Sequence, residues 1–560
     1  MADTCKYSPK TIIIHQGSTV LHIGLATDSE PKVLLNCIAR KSSRGCPGKI
    51  AERIKPKCPI SFDFEINEEI LHCLKSFDGA DHVVLKDELH DILIQSSCKP
   101  CSNSESQFVP FVEGFKICDG DTYELQWPIL SGHLNNKFTI TENGQSLADM
   151  WSHALTEYFK IPHDRFPKYS VLLAIEDIFV RREVRYIIDK LMRDLKFSRF
   201  MVLPTSYLHM GGTGSLSNCC IVDLGFHKTT ISCLANGISL LDVRVNLPCG
   251  GIDSLEVLRA ALEYYSRKNS ELSELLTKYN PGSYNDTLQL LSAMHAADSD
   301  MAMRLATDSL DAVLSRDIVV ALDSGCTLTL PALAVVKAHL SPFFPVQTGA
   351  EGSLTHSLKP QYQVHPIDAH EPDDPLDDCC SRKRKFPFDD ENEESALPKS
   401  TSSSKFSKPS EFKDLTEAIA WSIRNATVTT APPDTLETEA AQQQQPTAGG
   451  ISAEQPSAAT VTRNEQLRQK IASCIILVGG GAEGISGLLL RRVLTHKLQC
   501  LLGEDFHVNI FTRPQSIPDS AWQGARIAAS ADFASDLWIS KKEWEQLGSR
   551  TLREKGAFLW

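Results

Sequence analysis

The amino-acid sequence predicts an α/β protein of two related lobes around a cleft, interrupted by one long insertion. Three observations carry that prediction. An apolar strand at 474–478 stops at three glycines and feeds a helix, two glycine-tipped hairpins recur roughly two hundred residues apart, and the composition changes abruptly from 345 to 462.

Cys474 to Val478 has the length and aliphatic character of a buried strand, and Leu488 to Leu498 reads as a helix. The glycines between them, Gly479, Gly480 and Gly481, carry no Cβ, so their backbone amides can approach a phosphate or a ring edge near the helix N-terminus. Such a turn more often reflects simple close packing of strand on helix. Near the N-terminus, Thr11 to Ala26 reads as strand, tight turn at Gln16, Gly17 and Ser18, then strand. Cys220 to Leu234 repeats the pattern, with its turn beginning at Asp223, Leu224 and Gly225. Two such hairpins, each opening one half of the molecule, imply two related lobes whose turns face a shared cleft.

Between the hairpins, the pattern is helix from Leu147 to Tyr158, strand from Tyr169 to Ile175 and helix from Arg181 to Leu195. His153, His163 and Asp177 are single polar residues in this block and read as satisfied structural groups. Further amphipathic helices fall at Leu255 to Tyr265 and Leu288 to Ala297.

With 560 residues, 42% hydrophobic and 23% charged, the chain can bury a large core. A net charge of -13 excludes a molecule that wraps nucleic acid with its whole surface, so phosphate contact would need a local basic patch, while basic partners such as histones suit an acidic protein. The start Met-Ala-Asp-Thr shows no apolar leader, and seventeen cysteines in a chain this long read as reduced thiols of the cytosol or nucleus. Cys98 and Cys101 form a CxxC with no second pair at zinc spacing and read as a loop, and no apolar run reaches the ~20 residues of a membrane span.

Arg40 to Lys57 is strongly basic and broken by Gly45, Pro47 and Gly48. It reads as a solvated surface or, more sharply, as a DNA-phosphate contact through Arg40, Lys41 and Arg44. From 345 to 462, acidic stretches, a serine run and four consecutive glutamines give a segment that cannot bury enough apolar surface to fold alone, apart from a short helix at Phe412 to Ile423. Arg382, Lys383, Arg384 and Lys385 inside it suit nuclear import.

Three stretches resemble the actin and actin-related proteins. Ile12 to Pro31 resembles the family's first phosphate loop without a gap, Asp223 to Gly225 the start of its second, and Val478 to Gly481 its adenosine motif. The most specific is Ala521 to Trp544, which is similar to the family's C-terminal pattern. The resemblance implies an actin-like fold of duplicated ribonuclease-H-like domains around a nucleotide cleft: a first lobe over 1–220 and 521–560, a second over 221–344 and 463–520, and the insertion over 345–462.

It also implies a site. Gly17, Ser18 and Thr19 in one turn, Asp223, Gly225, Phe226, His227 and Lys228 in the other, and Gly479 to Gly481 beside them would bind ATP or ADP. Magnesium would be held weakly at best, and no residue is assigned as its ligand. The sequence departs from the family where catalysis depends on charge. His15 stands where a magnesium-orienting aspartate is expected, His22 where a lysine reaches toward the phosphates, Phe226 where an acid follows the glycine, and Thr230 where a histidine lies near the attacking water. Magnesium prefers hard oxygen donors, and phosphoryl transfer rests on charge stabilisation, so the expectation is a structural nucleotide and no enzyme beyond a weak basal ATPase.

Ile12 to His15, Asn36 to Lys41 and the ending Leu552 to Trp560 resemble one nuclear subfamily, whose members are non-catalytic subunits of Ino-eighty-type chromatin-remodelling complexes. That implies a nuclear protein that sits with actin and another actin-related protein on a long helix of the motor ATPase subunit. It would engage histones, nucleosomes and linker DNA, act in transcription regulation and DNA repair, and meet no membrane. The alternatives are a cytoplasmic filament-associated actin-related protein, which should carry a filament-type loop, and a weak actin-like ATPase.

Overall fold

The computed structural model describes residues 10–41, 66–75, 85, 88–95, 107–117, 123–214, 218–266, 284–321, 327–349, 358–363, 408–427, 458–512 and 519–556. Arg44, the Cys98 and Cys101 pair and the Arg382 to Lys385 cluster lie outside these residues.

Two sheets organise the chain, and their connectivity is the same. In the first, Thr11–Gln16 pairs antiparallel with Val20–Leu25, which pairs antiparallel with Lys32–Leu35. On its other side, Thr11–Gln16 lies parallel to Ser170–Ile175, which lies parallel to Arg199–Pro204. In the second sheet, Cys219–Leu224 pairs antiparallel with Thr229–Ala235, which pairs antiparallel with Val245–Leu247. Cys219–Leu224 lies parallel to Ile475–Val478, which lies parallel to Ile510–Thr512. The duplication inferred from two hairpins therefore extends to five corresponding strands per lobe. The central strands are covered on both faces, which is why Ser170–Ile175 and Ile475–Val478 read as unbroken apolar runs instead of alternating ones.

The helices follow the expected order with shifted ends. The helix expected from Leu147 begins at Ile140, where Thr139 and Glu142 form a capping box. Arg181–Asp189 continues into a wider π turn at Lys190–Asp194, so the expected single helix is broken in register. Gly251–Ser266, Tyr284–Leu305 and Gly484–Leu502 each extend beyond the expected periodic stretch.

The insertion expected over 345–462 is not uniform. The helix Leu415–Arg424, capped by Asp414, buries Leu415, Ala418, Ile419 and Ile423 in the core of the second lobe, against Gly484–Leu502. The low apolar content around it hid this in the sequence. At the other end, Asn246 and Gln361 exchange backbone hydrogen bonds of 2.9 and 2.7 Å. Gln363 brackets the backbone of Phe179, accepting from its N–H at 3.0 Å and donating to its carbonyl at 3.1 Å. Pieces of the insertion thus complete the second lobe and stitch it to the first.

Candidate functional site

The two hairpin turns and the turn after Ile475–Val478 meet in one cleft of about 780 Å³, within the size range of small-molecule sites. Every nucleotide residue anticipated from the sequence lines it: Gly17, Ser18, Thr19, Asp223, Gly225, Phe226, His227, Lys228, Gly479, Gly480 and Gly481.

The turns are held by their own backbones. Gly17 N–H donates to Val20 O at 3.0 Å, Gly225 N–H donates to Lys228 O at 2.9 Å, and the Asn36 side-chain amide donates to Gly17 O at 2.7 Å. The amides of Gly17 and Gly225, expected as phosphate donors, are engaged in closing their turns. Gly479 has φ +84°, and a Cβ there would collide with the Asp223 carboxylate and Leu224 O, so glycine is required for the adenosine turn to lie against the second hairpin. Around Gly480 a Cβ would meet nothing within 4 Å, leaving room for a ligand. Phe226 is fixed in the wall of the cleft. Its carbonyl accepts from Ile252 N–H at 2.9 Å and its ring packs by Gly251, where the helix Gly251–Ser266 begins.

The Lys228 side chain makes an ion pair across the cleft. Its ammonium reaches from the second lobe to Glu176 of the first and lies 2.6 Å from the carboxylate, with both side chains largely buried. Ser18 Oγ accepts from Gly132 N–H at 3.1 Å beside it. Asp177, expected as structural, is buried and accepts from Thr205 Oγ1 at 3.1 Å, Ser206 N–H at 3.0 Å and Ser206 Oγ–H. The buried Arg244 of the second lobe donates to the Asp177 carbonyl at 2.7 Å.

Arg40, expected on a mobile basic surface, lies at the start of that stretch in the strand Ile38–Lys41. It is engaged there: Asp149 Oδ2 is 2.7 Å away and Ser146 Oγ 3.2 Å away. Lys41, the next residue, is exposed.

Among the described residues, the oxygen donors that magnesium prefers are not assembled. Asp223 is the retained carboxylate, and burial together with the charge of Glu176 pushes it up to about 6. Glu176 itself is committed to Lys228, and Thr230 is a buried partner of Asp223 in the hairpin register. His15 faces His22 across the first hairpin, and both approach Asp519, which caps the helix Ser520–Ser530. His209 sits beside them, its Nδ1 2.6 Å from Ser520 Oγ, and burial depresses it to about 4. The residues fit a nucleotide and do not fit a magnesium ion.

Asp519 and His209 escaped the sequence reading. Asp519 had a legible signal, an aspartate set just before an apolar helix. His209 had none, because its partner Ser520 lies 311 residues away.

A duplicated α/β fold with paired hairpin turns closing on one cleft is an actin-like architecture, and the Actin family model matches residues 399–557. In sequence and in fold the chain is similar to the actin and actin-related proteins. Within them it is similar to actin-related protein 8: the Danio rerio protein is 25% identical over 98% of this chain and 92% of that protein. The Homo sapiens protein is 24% identical over the same shares. The solved structure of human actin-related protein 8 in its ATP-bound state superposes with a TM-score of 0.67 at 20% identity, covering 100% of this chain and 98% of that one, which shows the shared fold.

Proposed function

We propose that the protein binds ATP as a structural ligand and serves as a non-catalytic, nuclear actin-related subunit of an Ino-eighty-type chromatin-remodelling complex. The observation that carries the reading is the cleft: phosphate turns of both lobes converge on it, while the acids that would organise magnesium are replaced or engaged. In this reading the amides of Ser18 and Thr19 and of Phe226 to Lys228 cradle the phosphates, and Gly479 to Gly481 lie beside the adenosine. A ligand that touches both lobes stabilises the closed molecule by mass action, and hydrolysis has little to drive it. The solved similar human protein is in its ATP-bound state, which supports ATP over ADP.

The partners follow the similarity to actin-related protein 8: the motor subunit through a long helix, actin with another actin-related protein, histones and linker DNA, with roles in transcription regulation and DNA repair. Arg40, Lys41 and Arg44 are the candidates for DNA, and Arg382 to Lys385 for nuclear import. Among the described residues no helix is long and apolar enough to cross a membrane. Affinity capture of the full chain from nuclear extract tests the reading. It should recover a remodelling motor with actin and histones; recovery of filament components instead would contradict it.

A further inference from the structure

The strands of the first hairpin carry a histidine each, and these are direct cross-strand partners, His15 opposite His22, with ring centroids 5.4 Å apart. Asp519 completes the cluster. Its Oδ1 accepts from Ala521 N–H at 2.8 Å and Trp522 N–H at 3.3 Å, which fixes the carboxylate. Its Oδ2 lies 3.9 Å from His15 Nδ1 and 3.4 Å from His22 Nδ1. On the far side of the ring, His22 Nε2 is 3.0 Å from Glu88 Oε2.

These contacts create an electrostatic conflict. An imidazole that donates Nε2–H to Glu88 presents, when neutral, an Nδ1 lone pair to the Asp519 carboxylate. Two electron-pair donors facing each other with little water between them repel unless a cation lies among them. The Nδ1 atom of His15 and Oδ2 of Asp519 are also buried without a hydrogen-bond partner.

We propose that His15, His22 and Asp519 bind a zinc ion in the cleft. The three ligand atoms lie within 4.8 Å of one another, and tetrahedral zinc, with bonds near 2.0–2.2 Å, separates its ligands by about 3.3 Å. Modest rotation of the two rings closes that gap. Two imidazole nitrogens and one carboxylate suit zinc far better than magnesium, which asks for oxygens. The outer contacts are those a zinc histidine needs: Glu88 orients His22 and raises its basicity, and backbone amides orient Asp519. Charges balance, since Asp519 and Glu88 together offset a divalent cation. The fourth position opens into the cleft, to water or to an oxygen of a bound ligand. His209 lies 6.4 Å from His15 but engages Ser520, so it stands outside the ligand set.

The test compares the full-length chain with Asp519→Asn, which keeps the helix cap, and with His22→Gln. Each is stripped with chelator, exchanged into zinc or magnesium, desalted and assayed for bound metal. Circular dichroism checks that each variant is folded. Because cysteines elsewhere can take zinc, the readout is the difference between wild type and variants. The wild type should retain one more equivalent of zinc than either variant and no magnesium. Cobalt in its place should show a visible ligand-field spectrum without thiolate charge-transfer bands, lost in both variants. Equal zinc content in wild type and folded variants, or cobalt spectra that the substitutions leave unchanged, would overturn the proposal and leave a proton between Asp519 and His22.

Discussion

His209, buried, and Asp223, half-buried in the same cleft, respond to pH in opposite senses. Burial depresses His209 from 6.5 to about 4, so between those values the unfolded chain carries a proton that the folded one lacks, and stability rises with pH. Over its full window this amounts to about 3 kcal/mol, at one pH unit per 1.36 kcal/mol. Asp223 is raised from 3.8 to about 6 by burial and by Glu176, so the folded chain holds the extra proton and its contribution falls as pH rises through that window. The two oppose from about 4 to about 6, and above 6 His209 acts alone. Metal-free urea unfolding between pH 4 and 7 checks this. Relative to wild type, His209→Gln should lose the rise with pH, and Asp223→Asn should steepen it. A parallel pH dependence for all three proteins would contradict the assigned burial.

At the scale of elements, the helix Leu415–Arg424 shows how far a sequence can hide a structural part. Its own pattern is legible: Asp414 as cap, Glu417 in the first turn and apolar residues at helical spacing. Its burial was not, because the acidic and polar tracts around it argue against any core. Packing against Gly484–Leu502 supplies what the flanks lack, and Lys497 of that helix ties to Asp414 at 3.1 Å. Ile419 is fully buried there, so Ile419→Ala should cost about 2–5 kcal/mol by chemical denaturation. A loss below about 1 kcal/mol would place the helix on the surface. The hairpins, by contrast, were readable because strand and turn signals are local: aliphatic runs, a glycine tip, a second aliphatic run. The candidate turns followed from that. The side-chain partners in the cleft did not, since Glu176 with Lys228 and His15 with Asp519 join residues from distant stretches of the chain or from opposite lobes.

For the whole molecule, the question is what holds two similar lobes together over a cleft. Arg244 on the Asp177 carbonyl, Gln363 on the Phe179 backbone and Lys228 on Glu176 all cross from the second lobe or the insertion to the first. The last is a largely buried ion pair, whose removal from one side leaves an uncompensated charge. Glu176→Gln or Lys228→Met alone should destabilise by about 3–5 kcal/mol, and the double variant should recover much of that loss. Additive losses in the cycle would mean that the two groups do not face each other in solution.

In the proposed function, backbone turns from both lobes grip a nucleotide in the cleft without the help of organised magnesium-binding acids. The most direct measurement is the melting temperature of the purified chain against ATP, with and without magnesium, alongside phosphate release. Stabilisation should grow with ATP concentration, reaching about 2.7 kcal/mol at a hundredfold excess over Kd, equal with and without magnesium, with phosphate release at background. No stabilisation at saturating ATP, or a strict requirement for magnesium accompanied by brisk phosphate release, would contradict the proposed function.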